Sequence, residues 1–202
     1  MSGPLPLSLP LPEPAPRRHL HTRQTTYRGY LREDGLWDIE GELCDTKPYA
    51  YADRERGRMP PGTPVHHMLA RLTVDDALVI RDAHFEMRAI PFSFCAGAAA
   101  DAASFIGITL GGGWRRAVDE RMRGTAGCSH LRELLYNIAT AAFQTISPYR
   151  EEFMAERGAP AGKNGLPFFL DQCYSWALTG PVVARYFPQF AVTKSAKRTG
   201  SD

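Results

Sequence analysis

The run "TTYRGYLREDGLWDIEGEL" constrains the fold more than any other stretch, because it sets Asp34-Gly35 between two strand-like segments. Asp-Gly is among the strongest short-range hairpin signals, since glycine takes the positive φ of a tight turn without steric cost. A two-residue turn there places Arg32 opposite Trp37, Tyr30 opposite Ile39 and Arg28 opposite Gly41. Side chains alternate along a strand, so this register predicts a core face carrying Tyr30, Trp37, Ile39 and Leu43. Arg28 falls on that face opposite a residue with no side chain. Either its stem packs while its head reaches the edge, or it binds an anion.

A second pair, "HHMLARLTVDDALVIRDAHFEM", turns around Asp75 and Asp76 and extends the first into an antiparallel sheet of about four strands. The polar, proline-rich stretch from Thr46 to Pro64 reads as a long loop, of the kind that more often serves as a functional lid than as an idle connection. From Cys95 the character changes. "CAGAAADAASFIGITLGGG" predicts a small-residue helix from Gly97 to Leu110, stopped by three glycines. "WRRAVDERM" is a short amphipathic helix, and the strongest helix runs from Ser129 to Ile146 with Leu131, Leu135, Ile138 and Ala142 in one stripe. Cys128 lies three residues before Leu131, so it begins the stripe and points inward. After the linker "ERGAPAGKNGLP", the segment "FFLDQCYSWALTGPVVARYFP" reads as a helix broken near Gly180-Pro181. The expected architecture is α+β: an antiparallel sheet from two hairpins over residues 23–90, then a layer of helices over 96–190. Residues 1–18 read as a disordered Pro-rich leader, 19–190 as a single domain and 191–202 as a flexible basic tail.

Composition narrows the function classes. With 202 residues and 44% hydrophobic content the chain can bury a core. A net charge of +2 with scattered Lys and Arg is not the footprint of a nucleic-acid binder. The widely spaced Cys44, Cys95, Cys128 and Cys173 form no disulfide framework and no Cys-x-x-Cys pair. The leader lacks a basic start, its prolines interrupt any apolar helix, and no run approaches a membrane span. These features favour a cytoplasmic protein that engages neither nucleic acid nor membrane; the partners expected are a small-molecule substrate and, compatibly, a second copy in a homodimer. The glycines at 111–113 follow a helix and lack the phosphate-loop pattern; Gly-x-Ser-x-Gly, His-Glu-x-x-His and dinucleotide signatures are absent.

The candidate chemistry lies with cysteines, histidines and one Asp/Lys pair. Cys95 and Cys128 sit at expected helix starts, where aligned N–H groups favour a thiolate; taken singly, each is more simply a buried inert cysteine. His130 follows Cys128 by two residues in "GCSHL". His66 and His67 are adjacent in an extended segment and therefore face opposite ways, so at most one of them readily reaches a pocket with Cys95, Cys128 and His130; the sequence does not choose which, and a surface histidine pair is the plainer reading. His67, Cys95, Cys128 and His130 are the catalytic candidates. His66, Cys95, Cys128 and His130 form the alternative zinc or iron set. Asp45 and Lys47 share a strand face and with Arg28 and Tyr30 are substrate-binding candidates, or else a surface ion pair. Tyr27, Tyr30, Trp37, Phe92 and Phe94 supply an apolar wall or ordinary core.

The phrases "YRGYLREDGLWDIEGELCDTKPY", "VHHMLARLTVDDALVIRDA", "GCSHLRELL" and "GPVVARYFP" resemble the bacterial domain-of-unknown-function 2889 family over most of the chain. Some members are encoded among genes for aromatic or acyl-CoA catabolism, which implies a metabolic role but no mechanism. Residues 64–145 are also similar to the iron-sulfur cluster scaffold family, with Cys95 and Cys128 at two of its ligand positions and His130 near its histidine. Its first ligand motif is replaced by Pro64-Val65-His66-His67. The expectation is a small catabolic lyase without cofactor, performing elimination, retro-aldol cleavage or deformylation of an aromatic or acyl compound. The alternative is a zinc- or iron-binding or iron-sulfur-handling protein.

Overall fold

The computed structural model describes residues 12–99, 101–154, 166–167 and 169–192. Strands β1 (Thr22–Leu31), β2 (Trp37–Thr46), β5 (Pro64–Val74) and β6 (Ile80–Ala89) form one antiparallel sheet in the order β1-β2-β5-β6. Helices α1 (Trp114–Met122), α2 (Ser129–Phe153) and α3 (Pro181–Tyr186) follow, so the α+β architecture holds. The expected leader falls partly, and the expected tail largely, outside the described residues.

The first hairpin forms where Asp34-Gly35 predicts it, but with a loop one residue longer. Arg32 donates its N–H to Leu36 O at 2.8 Å and Gly35 donates to Arg32 O at 3.1 Å, leaving Glu33-Asp34-Gly35 as a three-residue loop with Gly35 at φ +84°. The register becomes Leu31 with Trp37, Gly29 with Ile39 and Tyr27 with Gly41. A slip of one residue reverses every side chain of a strand. Tyr27 and Gly29 therefore face the helices, whereas Arg28 and Tyr30 face outward, correcting the predicted core face of β1. The β2 part of that face stands: Trp37, Ile39 and Leu43 are all buried.

The stretch expected to be a plain loop carries its own hairpin, β3 (Tyr51–Asp53) and β4 (Gly57–Met59). Arg56 clamps it by forking onto Asp53 and donating to Pro64 O at 3.0 Å. The alanine-rich helix does not form. Residues Ser93–Ala98 and Ala102–Phe105 are short 3₁₀ turns, and Gly107 takes φ +85°. The chain then pairs with the start of β6, through Gly107 N–H to Ile80 O and Ile80 N–H to Ile108 O, both 2.8 Å. Alanine's helix propensity is under about 1 kcal/mol per residue. It loses here to these backbone pairings and to insertion of Phe105 into the core, where it is fully buried.

Helix α2 begins at Ser129 as expected and buries Leu131, Leu135, Ile138 and Ala142 against the sheet. It runs beyond Ile146 to Phe153 despite Pro148, because its last turns remain packed: Ser147 and Arg150 are buried and Arg150 donates to Asp76 O at 2.9 Å. From Phe169 the C-terminal segment forms turns up to Gly180 and is helical from Pro181, whose fixed φ suits a first helical position. Phe169, Trp176 and Phe187 cluster there, with Phe143 of α2 6.5 Å from Phe169.

Strand β1 approaches α2 closely only because Gly29 has no side chain. A Cβ there would lie 1.9 Å from Thr145 Oγ1 and 2.5 Å from Thr145 Cβ. Gly29→Ala is expected to destabilise the fold by about 1–3 kcal/mol in urea denaturation through overpacking. Adding Thr145→Ala, which removes the two nearest atoms, should recover part of that loss.

Candidate functional site

Alternation along β2 sends Trp37, Ile39, Gly41 and Leu43 to the helix face, and the next residue in that series is Asp45. A carboxylate thus lands on a face otherwise reserved for the core. Its residue is 2% exposed, so its oxygens must find partners within the protein. The sheet register provides them, since Asp45 pairs with Arg23 of β1 on one side and with His66 of β5 on the other.

Arg23 forks onto the carboxylate, Nε to Oδ1 and Nη2 to Oδ2, both at 2.8 Å. Its remaining amino group reaches Glu133 Oε2 of α2 at 2.5 Å. His21, just before β1, brings Nε2 to 3.0 Å from Oδ1. His66 places Nδ1 3.2 Å from Oδ2, and His130, in the first turn of α2, places Nε2 3.6 Å from the same oxygen. The His66 and His130 rings stack with centroids 3.7 Å apart. Cys128, which caps α2, sets its Sγ 3.8 Å from the other nitrogen of His130, Nδ1.

Burial alone would push the Asp45 carboxyl up, but Arg23 and then His21 overcome it and hold the pKa at about 2. For His66, burial and the neighbouring His130 depress the imidazolium more than Asp45 supports it, so the ring is favoured as the neutral base. Burial also disfavours the Cys128 thiolate, yet His130 and the amides of Leu131 and His130 outweigh it and leave the thiol below its ordinary range.

Asp45, His66 and His130 each direct one donor atom into a space where all three lie within 4.8 Å of one another. Two edges of that triangle, 3.2 and 3.6 Å, are close to the roughly 3.0–3.4 Å between neighbouring donors when each sits about 2.1 Å from an ion. Two imidazoles and one carboxylate suit zinc or ferrous iron. The imidazoles are 18% and 23% exposed, which leaves a solvent-facing side for water or substrate.

The structure therefore brings together His66, His130, Asp45 and Cys128 from the sequence-predicted sets. It does not bring in the others. His67 faces the opposite side of the sheet, 2.8 Å from Glu42, and Arg28 reaches the same glutamate at 3.5 Å. Tyr30 is exposed on that outer side. Lys47 lies beyond β2 with its ammonium over the Tyr51 ring at 4.9 Å, away from the joint role expected with Asp45. Cys95 stands in a 3₁₀ turn, without the α-helix start that motivated it, and outside the donor group. Arg23 is not among the sequence candidates, because the predicted register pairs Asp45 with Gln24 whereas the longer turn pairs it with Arg23; His21, just before the ladder, carries no sequence signal of its own.

With metal chelated, Asp45 should govern part of the acid stability. Its folded pKa of about 2 lies below the ordinary 3.8. Its contribution is then complete above about pH 4 and lost as pH falls through about 2. Denaturant titrations across that window should show the decline, and Asp45→Asn should flatten it.

No helix of the described residues is long and apolar enough to cross a membrane. Residues 21–144 match the family described as protein of unknown function, DUF2889. No curated protein and no solved structure matches, and the similarity to iron-sulfur scaffolds finds no support.

Proposed function

Because the chain belongs to the DUF2889 family, a membership that assigns no reaction, we propose from the site itself that the protein is a metalloenzyme holding one zinc or ferrous ion at Asp45, His66 and His130. The observation that carries this reading is the convergence of these three donors from β2, β5 and α2 at the solvent-facing end of the core. It replaces the cysteine-rich set expected from the sequence with two imidazoles and a carboxylate.

A bound ion would supply Lewis acidity, polarising a carbonyl oxygen or lowering the pKa of a water. The residues of the chain supply the remainder. Asp45 is already ionised, His66 carries a lone pair in its neutral form, and Arg23 with His21 fixes the carboxylate while leaving Oδ2 a lone pair on the side of the imidazoles. Together these functions suit elimination, retro-aldol cleavage or deformylation of a small aromatic or acyl compound, where a carbonyl is polarised and a proton is moved.

One observation favours a second reading. The Arg23 fork engages both oxygens of Asp45, as in an acid/base centre where an ionised carboxylate orients a histidine without metal. The two readings separate on metal content. Plasma mass spectrometry of untagged protein should find about one zinc or iron per chain, lost in His66→Ala and in His130→Ala and kept in His67→Ala and Cys95→Ala. Metal-free protein that zinc fails to stabilise thermally would exclude the first reading, and release of product from aromatic substrates would then test the second.

A further inference from the structure

Cys128 is not one of the three donors, yet it addresses the ring nitrogen of His130 that the donors leave unused. Its sulfur lies 3.8 Å from Nδ1, while Nε2 faces Asp45 Oδ2 at 3.6 Å. An imidazole serves a metal through one nitrogen only when the other carries the proton, and the group accepting that proton fixes the tautomer and the ring's direction. In metal sites the acceptor is usually a carboxylate, a carbonyl or water; here it is a sulfur.

The local backbone is built to hold that sulfur in place. Cys128 is the N-cap of α2 in extended geometry, φ −80° and ψ 126°, which turns its side chain back over the first helical turn where His130 stands. The preceding Gly127 presses against the end of α1. A Cβ there would lie 2.8 Å from Met122 Cβ and 3.0 Å from its Cα, so the approach requires glycine. Met122 is fully buried, so the loop bearing Cys128 is anchored on the core.

We propose that Cys128 is the positioning residue of the metal centre: its sulfur accepts the Nδ1–H of His130 and thereby aims the Nε2 lone pair at the ion. This rests on the metal reading above and adds to it the group that selects the tautomer of one ligand. It also gives the Cys-x-His spacing of "GCSHL" a single role.

The test compares wild type, Cys128→Ala and Cys128→Ser. Zinc affinity, measured by competition with a chromophoric chelator, should fall about 10- to 100-fold in Cys128→Ala. It should recover in part in Cys128→Ser, whose hydroxyl also accepts a hydrogen bond. Nitrogen-proton NMR of the zinc-loaded proteins should show a hydrogen-bonded, slowly exchanging Nδ1–H for His130 in wild type and its faster exchange with solvent in the alanine variant. Unchanged affinity, or an unchanged exchange rate of the His130 Nδ1–H, in Cys128→Ala would overturn the proposal, as would a serine variant no better than alanine. A sulfur-to-metal charge-transfer band in the cobalt-loaded wild type would also overturn it, by making Cys128 a ligand. Wild type that binds no zinc defeats the metal reading, whereas wild type that binds zinc with the same affinity as Cys128→Ala defeats only the role of Cys128.

Discussion

Burial of the Asp45 carboxylate between the end of the sheet and the first turn of α2 organises the rest of the site. An ionised carboxylate removed from water is costly unless it is paired; the Arg23 fork supplies that pairing, and ring nitrogens approach from two further directions. Arg23 comes from the neighbouring strand β1, His66 from β5 on the other side, and His130 from the helix above. The same carboxylate thus ties the edge strand to the centre of the sheet and the helix to both. Arg23 continues the link to Glu133, one turn along α2 from His130. Both imidazoles meet one oxygen of the carboxylate, Oδ2.

The fold was legible where the hydrophobic pattern was long and strongly periodic. The stripe of α2 and the alternation of β2 needed only side-chain spacing, and both strand pairs formed where turn residues marked them. The length of the first turn was not legible, because Asp-Gly serves both a two-residue turn and a three-residue loop ending on a left-handed glycine. Gly29 was the discriminating residue: only the longer loop sets it against Thr145, where no Cβ fits. The alanine-rich segment departs from its expected helix for a different reason. Its propensity is local, whereas Phe105 and the backbone pairings to Leu78 and Ile80 are tertiary.

The site was legible residue by residue and not as a set. Asp45, His66, Cys128 and His130 all stand among the sequence candidates, but the sequence reads the carboxylate as a substrate contact and the cysteines as catalytic groups or, alternatively, metal ligands. Spacing along the chain carries little information about donors drawn from two strands and a helix. The register supplies what was missing, since it pairs Asp45 with His66 and Arg23 and turns His67 to the opposite face. Cys95 depended on a helix start that does not form. Cys128 keeps its helix start, but its sulfur faces a histidine nitrogen and lies outside the Asp45, His66 and His130 group.

The most direct measurement is anomalous diffraction at the zinc edge from crystals grown with zinc. The account predicts one strong peak about 2.0–2.2 Å from Asp45 Oδ2, His66 Nδ1 and His130 Nε2, with the Cys128 sulfur outside bonding distance. A peak held by other residues, or no peak at this position, would contradict it.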